Sequence, residues 1–144
     1  AATEHYTKKN IIVVDFGTAT TYTAINKDKE FLGATILPGF KISISALQNN
    51  ADLLPSVEIV RTEKALGRHT TECIQSGIYF SQLASLKELT QRICQQSFKE
   101  NNCVIIGTGG FVRLFDHDFT FDCIDPDLIL YGLKYAYEKN NNTS

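Results

Sequence analysis

The chain lacks methionine and tryptophan altogether and holds 3 prolines in 144 residues. It opens without an initiator on Ala1, Ala2, Thr3 and Glu4, which read like the middle of a helix. The sequence is therefore expected to begin inside a longer protein. No apolar run approaches the roughly 20 residues of a membrane span. No charged-then-apolar leader precedes the body. Neither a membrane partner nor secretion is expected, and a cytoplasmic setting is. There is no excess of either charge: 14 Lys and Arg face 16 Asp and Glu, for a net −2. No basic surface advertises nucleic acid. The 4 cysteines, Cys73, Cys94, Cys103 and Cys123, form no CxxC. Zinc spacing and a disulfide framework are both missing, so the four read as small apolar residues. His5, His69 and His117 are dispersed, and no Ser–His–Asp or Cys–His set can be argued.

What is present is a core-forming composition, 43% hydrophobic, in a length suited to one domain or one lobe of a larger enzyme. Asn10 to Asp15 (NIIVVD) is a short β-branched run ending in an acid, and predicts a buried strand followed by a tight turn. Thr18 to Ile25 (TATTYTAI) and Phe31 to Leu37 (FLGATIL) predict two more strands, the last closed by Pro38-Gly39. Together they predict a three-stranded antiparallel meander. Phe40, Ile44, Leu47 and Ala51 then fall at helical spacing, and Pro55 stops that helix. Val57 to Val60 reads as a short strand or an extended loop. Thr70 or Thr71 is expected to cap a long helix whose stripe is Ile74, Ile78, Leu83, Leu86, Leu89 and Ile93. Asn102 to Ile106 (NCVII) predicts a further strand, and Phe111 to Leu114 a helical stretch. Asp125-Pro126-Asp127 is a helix start, with Leu128, Tyr131 and Tyr135 as the apolar side. Residues 140–144 (NNNTS) read as a disordered polar tail.

Three places could carry chemistry. Asp15-Phe16-Gly17-Thr18 sets an acid at a strand end, a glycine two residues on and then a hydroxyl. Backbone N–H groups there can approach an anion, and the carboxylate would need a cation between itself and a phosphate. A plain hairpin turn satisfies the same pattern. Gly107-Thr108-Gly109-Gly110 lies between a strand and a helix. It suits either a base lying on bare backbone or a turn that needs positive φ. Gly67-Arg68-His69-Thr70 offers cations and a hydroxyl to a carboxylate, or is an exposed helix cap. Asp116, Asp118, Asp122, Asp125 and Asp127 share no face and read as solvated.

The ordered motifs DFGTATT, LGATILPG, ALGRHTTECIQSG, IIGTGG and DPDLILYGL are similar to the C-terminal half of type III pantothenate kinases, from Asn10 to about Asn140. The resemblance implies an α/β, ribonuclease-H-like lobe over residues 1–144, one of two lobes that clasp ATP. It implies phosphorylation of pantothenate by ATP with magnesium, at the start of coenzyme A synthesis. It implies Asp15 as ligand of potassium or ammonium, Gly17 and Thr18 at the ATP phosphates, and Gly107, Gly109 and Gly110 facing the nucleotide. Thr70 would contact pantothenate in the neighbouring subunit's site, in a homodimer. No catalytic residue falls in the chain, because the family's general base, an aspartate in a GxDR motif, is expected upstream of Ala1. Two positions depart from the family pattern: Gly33-Ala34 stands for two glycines, and Arg68-His69 stands for lysine and asparagine. Two other readings compete: a non-catalytic nucleotide or pantothenate binder of the same fold, and a sugar or small-acid kinase of the superfamily.

Overall fold

A computed structural model describes residues 1–50, 54–98 and 102–141. A single turn of helix, α1 (Ala2–His5), leads into β1 (Ile11–Phe16). The strands β2 (Ala19–Ile25) and β3 (Phe31–Pro38) follow, and both pairings of this meander are antiparallel. Helices α2 (Phe40–Asn50) and α3 (Thr70–Ser97) precede β4 (Val104–Thr108), which lies parallel to β1. A 3-10 turn at Val112–Phe115 and the two-residue strand β5 (Cys123–Ile124) come next, then α4 (Leu128–Asn141). The five-stranded sheet runs β3-β2-β1-β4-β5, a mixed order flanked by helices that makes this an α/β, ribonuclease-H-like lobe.

Strand alternation sends neighbouring residues to opposite faces. Ile12, Val14, Phe16, Tyr22 and Ala24 join the larger core with Phe40 and Ile44 of α2 and the α3 stripe. Ile74, Ile78, Leu83 and Leu86 of that stripe are buried, while Leu89 and Ile93 are half-buried against it. Three rings tie the 3-10 turn down: Phe115 packs on Phe16 at 4.7 Å, Tyr79 at 5.6 Å and Phe40 at 5.9 Å between centroids. Each such fully buried side chain contributes about 1.5–3 kcal/mol. The opposite face holds a smaller cluster of Ala2, Ile11, Ile106 and Leu128 under α1 and α4.

Several sequence expectations are corrected. Leu47 of α2 is exposed, and Ala51 lies outside the described residues. Of the two alternatives for Val57 to Val60 the loop holds, with no strand pairing among the described residues. The α3 cap is His69, in extended conformation, so neither Thr70 nor Thr71 caps it. Instead Glu72 folds back to accept the Arg68 N–H at 2.9 Å, which satisfies a backbone donor just ahead of the helix. Tyr131 and Tyr135 are exposed, and only Leu128 of α4 is buried. Asn140 and Asn141, assigned by composition to a tail, close α4; residues 142–144 lie outside the described residues. Asp118 is half-buried and paired, not free in solvent. Its carboxylate takes the Arg61 Nε–H at 2.7 Å and the Tyr79 hydroxyl at 2.6 Å, which hold it below the usual carboxylate range. Asp122 accepts the Ile105 N–H at 2.7 Å. Among the described residues no helix is long and apolar enough to cross a membrane.

Candidate functional site

The site grows from the ends of β1 and β4. Asp15 stands in register with Thr21 on one side and Thr108 on the other. Paired positions share a face, so one row of oxygen-bearing side chains crosses β2, β1 and β4. It continues the face that holds Ile11 and Ile106. Asp15 Oδ1 and Thr108 Oγ1 are both buried, and neither has a hydrogen-bond partner among the described residues. Burial also raises the Asp15 carboxyl above its ordinary value. A carboxylate with a costly buried charge, beside an unpaired hydroxyl, fits a hard cation, which oxygen donors of this kind coordinate.

Glycines close the turns around this row. Gly109 has φ +89, and a Cβ there would lie 2.4 Å from Asp15 Oδ1 and 2.6 Å from the Phe16 carbonyl carbon. Only glycine lets the β4 turn fold over the end of β1, where the Phe111 N–H reaches the Phe16 carbonyl at 3.3 Å. Gly39, entering α2, is as tight: its Cβ would lie 2.3 Å from the Thr18 carbonyl oxygen. The β1–β2 turn at Gly17 and Thr18 is thus pressed between two other backbone segments. Its Thr18 side chain is exposed, and the Gly17 N–H is bonded to the Ala19 carbonyl at 3.1 Å.

Not every glycine faces a ligand. Gly107 is buried, with Val112 and Phe121 atoms at 2.6 and 2.9 Å from where its Cβ would stand, so its missing side chain serves packing. Gly110 is exposed and has open space at that position. Beside it Phe111 borders a cleft of about 480 Å³ shared with Lys41, Ile44, Val57 and Ile59. The Lys41 ammonium lies 5.9 Å from the Phe111 ring centre. This cleft opens on the α2 side of the sheet, where Ile44 and Val57 join the larger core, and not on the face of the Asp15 row.

Thr70 is not part of this gathering. It is exposed at the first turn of α3, while Gln82 on the same helix is anchored at the sheet. Twelve residues separate them, about 18 Å of helix. Gln82 is the residue that sequence reasoning missed, and Thr108 was noticed only as part of the Gly107–Gly110 turn, with no role of its own. The Thr20 hydroxyl donates to Gln82 Oε1 at 2.9 Å, and Gln82 Nε2 donates to the Pro38 carbonyl at 2.8 Å. This buried amide ties β2, just after the Gly17 turn, to the end of β3, just before Gly39. Its signal, a polar residue inside the apolar stripe of α3, was legible. The Thr108 hydroxyl was overlooked beside the glycines of its motif, because a strand threonine is ordinary.

The family described as type III pantothenate kinase matches residues 1–92 of the chain. Among curated proteins, the type III pantothenate kinase of Legionella pneumophila (strain Corby) is 49% identical over 140 residues, covering 97% of this chain and 55% of the relative. The type III pantothenate kinase 1 of Francisella tularensis subsp. holarctica (strain OSU18) is 41% identical, covering the same 97% and 55%. That of Elusimicrobium minutum (strain Pei191) is 42% identical over 142 residues, 99% of this chain and 55% of the relative. The chain therefore spans about half the length of the curated relatives it matches. A crystal structure from Campylobacter jejuni, described as a conserved Baf family transcriptional activator, superposes with a TM-score of 0.62. It is 23% identical, covers 95% of this chain and 61% of that one, and bears on the fold alone.

Proposed function

The chain belongs to the type III pantothenate kinase family, and on that premise we propose that the protein carrying it phosphorylates pantothenate with ATP to 4′-phosphopantothenate, the opening step of coenzyme A synthesis. The observation that carries the reading is the pair of buried, unpartnered oxygens on Asp15 and Thr108 beneath the Gly109 turn. Asp15 and Thr108 would hold a monovalent cation, potassium or ammonium. Such an ion, together with the magnesium that accompanies ATP, supplies positive charge against the negative charge of the transferring phosphoryl group.

The roles of this chain's own residues follow from their placement. Thr18 would offer its exposed hydroxyl to the phosphates, with Gly17 keeping the turn open. Gly109 keeps the turn closed over Asp15, and Gly110 leaves its backbone bare for the nucleotide. Gly107 shapes the strand end from below. The hydroxyl proton of pantothenate is assigned to an aspartate outside residues 1–144, so this chain contributes charge and position to the reaction and not the base. Thr70, exposed and far along α3 from the row, suits contact with pantothenate bound to a second subunit, in a cytoplasmic homodimer.

The test is ADP formation by the full-length protein. It is expected only when pantothenate and either potassium or ammonium are both present. ADP release that ignores pantothenate, or needs a sugar in its place, rejects the reading; binding of pantothenate without turnover converts it to that of a non-catalytic relative.

A further inference from the structure

Two of the four cysteines meet in space. Cys94 sits in the last turn of α3, and Cys103 stands just ahead of β4. They are 9 positions apart in sequence, and their Sγ atoms lie 2.8 Å apart. Both thiols are free and partly exposed, and both line a cleft of about 360 Å³ with Thr90, Gln91, Gln95 and Phe119. A small disulfide reagent can therefore reach them. A thiophilic metal is less suited to the place. Among the described residues no group of three His, Cys, Asp or Glu side chains converges, and the polar neighbours in this cleft are a hydroxyl and amides.

We propose that Cys94 and Cys103 are a modification site: a dithiol that a low-molecular-weight disulfide, of the glutathione type, converts reversibly to an internal disulfide fastening the end of α3 to the start of β4. In the first exchange the Cys94 sulfur, as thiolate, attacks one sulfur of glutathione disulfide. A Cys94–glutathione bond forms, the glutathione S–S bond breaks, and one glutathione thiolate leaves. Cys103 then gives up its proton, and its sulfur attacks the Cys94 sulfur and expels the second glutathione. Two protein thiols are oxidised, one glutathione disulfide is reduced to two thiols, and the protons released by the cysteines end on them. Burial and the adjacent Cys94 raise the Cys103 thiol, which fits it to the second, slower role.

The experiment incubates the native full-length protein with glutathione disulfide, alkylates the remaining thiols and digests with trypsin, which cuts after Lys99, without reductant. The expected product is the Cys94 peptide linked to the Cys103 peptide, and dithiothreitol should release it. Cys73, which is exposed, serves as the comparison thiol and should yield only a glutathione adduct or an alkylated peptide. Cys103→Ser should stop at one glutathione on Cys94. The linked form should also melt a few degrees higher, because the crosslink restricts the unfolded chain. Recovery of Cys94 and Cys103 only as alkylated or glutathione-bound peptides from the native wild-type protein overturns the proposal.

Discussion

The two faces of one sheet are built to different ends. Ile12, Val14 and Phe16 point into a core with almost no exposure, packed under α2, α3 and the 3-10 turn. Asp15, one residue from two of them, points the other way, into a row with Thr21 and Thr108 that leaves two oxygens unsatisfied. On that second face α1 and α4 cover only one end, and Ile36 of β3 stays 71% exposed. The contrast teaches that stability and chemistry are divided here by strand period, not by region of sequence. Substitutions should sort by face, even at adjacent positions.

The largest expected separation comes from Asp15→Asn. It should leave the fold intact, abolish the response to potassium or ammonium, and cut turnover of the full-length protein by roughly 100- to 1000-fold, as loss of a site's charge stabilisation commonly does. Steady-state kinetics with and without the cation, beside a thermal melt, check this. An unchanged ammonium response would break the comparison. On the core face, Leu86→Ala should do the reverse. It should cost about 2–5 kcal/mol of stability through the cavity left at a fully buried position, with ligand affinities retained in the folded fraction. Denaturant unfolding measures it.

Gln82→Leu probes the joint between the faces. It strands the buried Thr20 hydroxyl and the Pro38 carbonyl, so a loss of about 1–3 kcal/mol is expected. A weaker grip on ATP should accompany it, because the two turns lose their common anchor. Thr70→Val lies outside both faces and should raise the pantothenate requirement several-fold while leaving the KM for ATP unchanged. Equal change in both would assign Thr70 to the α3 terminus alone.

The smallest effect is in pH. Burial raises the Asp15 carboxyl above its ordinary value. The folded protein therefore binds its proton more tightly than the unfolded chain does. Its contribution makes stability fall as pH climbs from the ordinary carboxylate range through the raised value. Wild type minus Asp15→Asn, measured by unfolding without potassium or ammonium, should show that downward slope, and added cation should flatten it. Asp118 contributes with the opposite sign. Its lowered carboxyl stabilises the fold above the ordinary range, and that support is lost as pH falls through the lowered value.

The meander, the long α3 stripe and β4 were legible because each is a local pattern: alternation, a 3.6-residue period, a short β-branched run. Beta5 was not, because two residues pair with β4 only through a contact distant in sequence. Asp118 was misread for the same reason, since its partners Arg61 and Tyr79 lie 57 and 39 positions away. The glycine motif was visible, but its division of labour was not. A sequence does not display φ, and only the fold shows that Gly109 closes over Asp15, Gly107 packs and Gly110 stays bare. The α4 stripe followed a helical period, yet its tyrosines remain exposed, because a period defines a face without supplying what covers it.

Gly39 has a consequence for how this lobe can change. Surface turns usually admit insertions, because nothing rests on their backbone. Here the entry to α2 rests directly on the Gly17–Thr18 turn, and the Gly109 turn rests on the end of β1. The three connections behave as one rigid knot, so a residue added to any of them displaces the other two. Length variation among relatives should be scarce at all three and free to accumulate elsewhere.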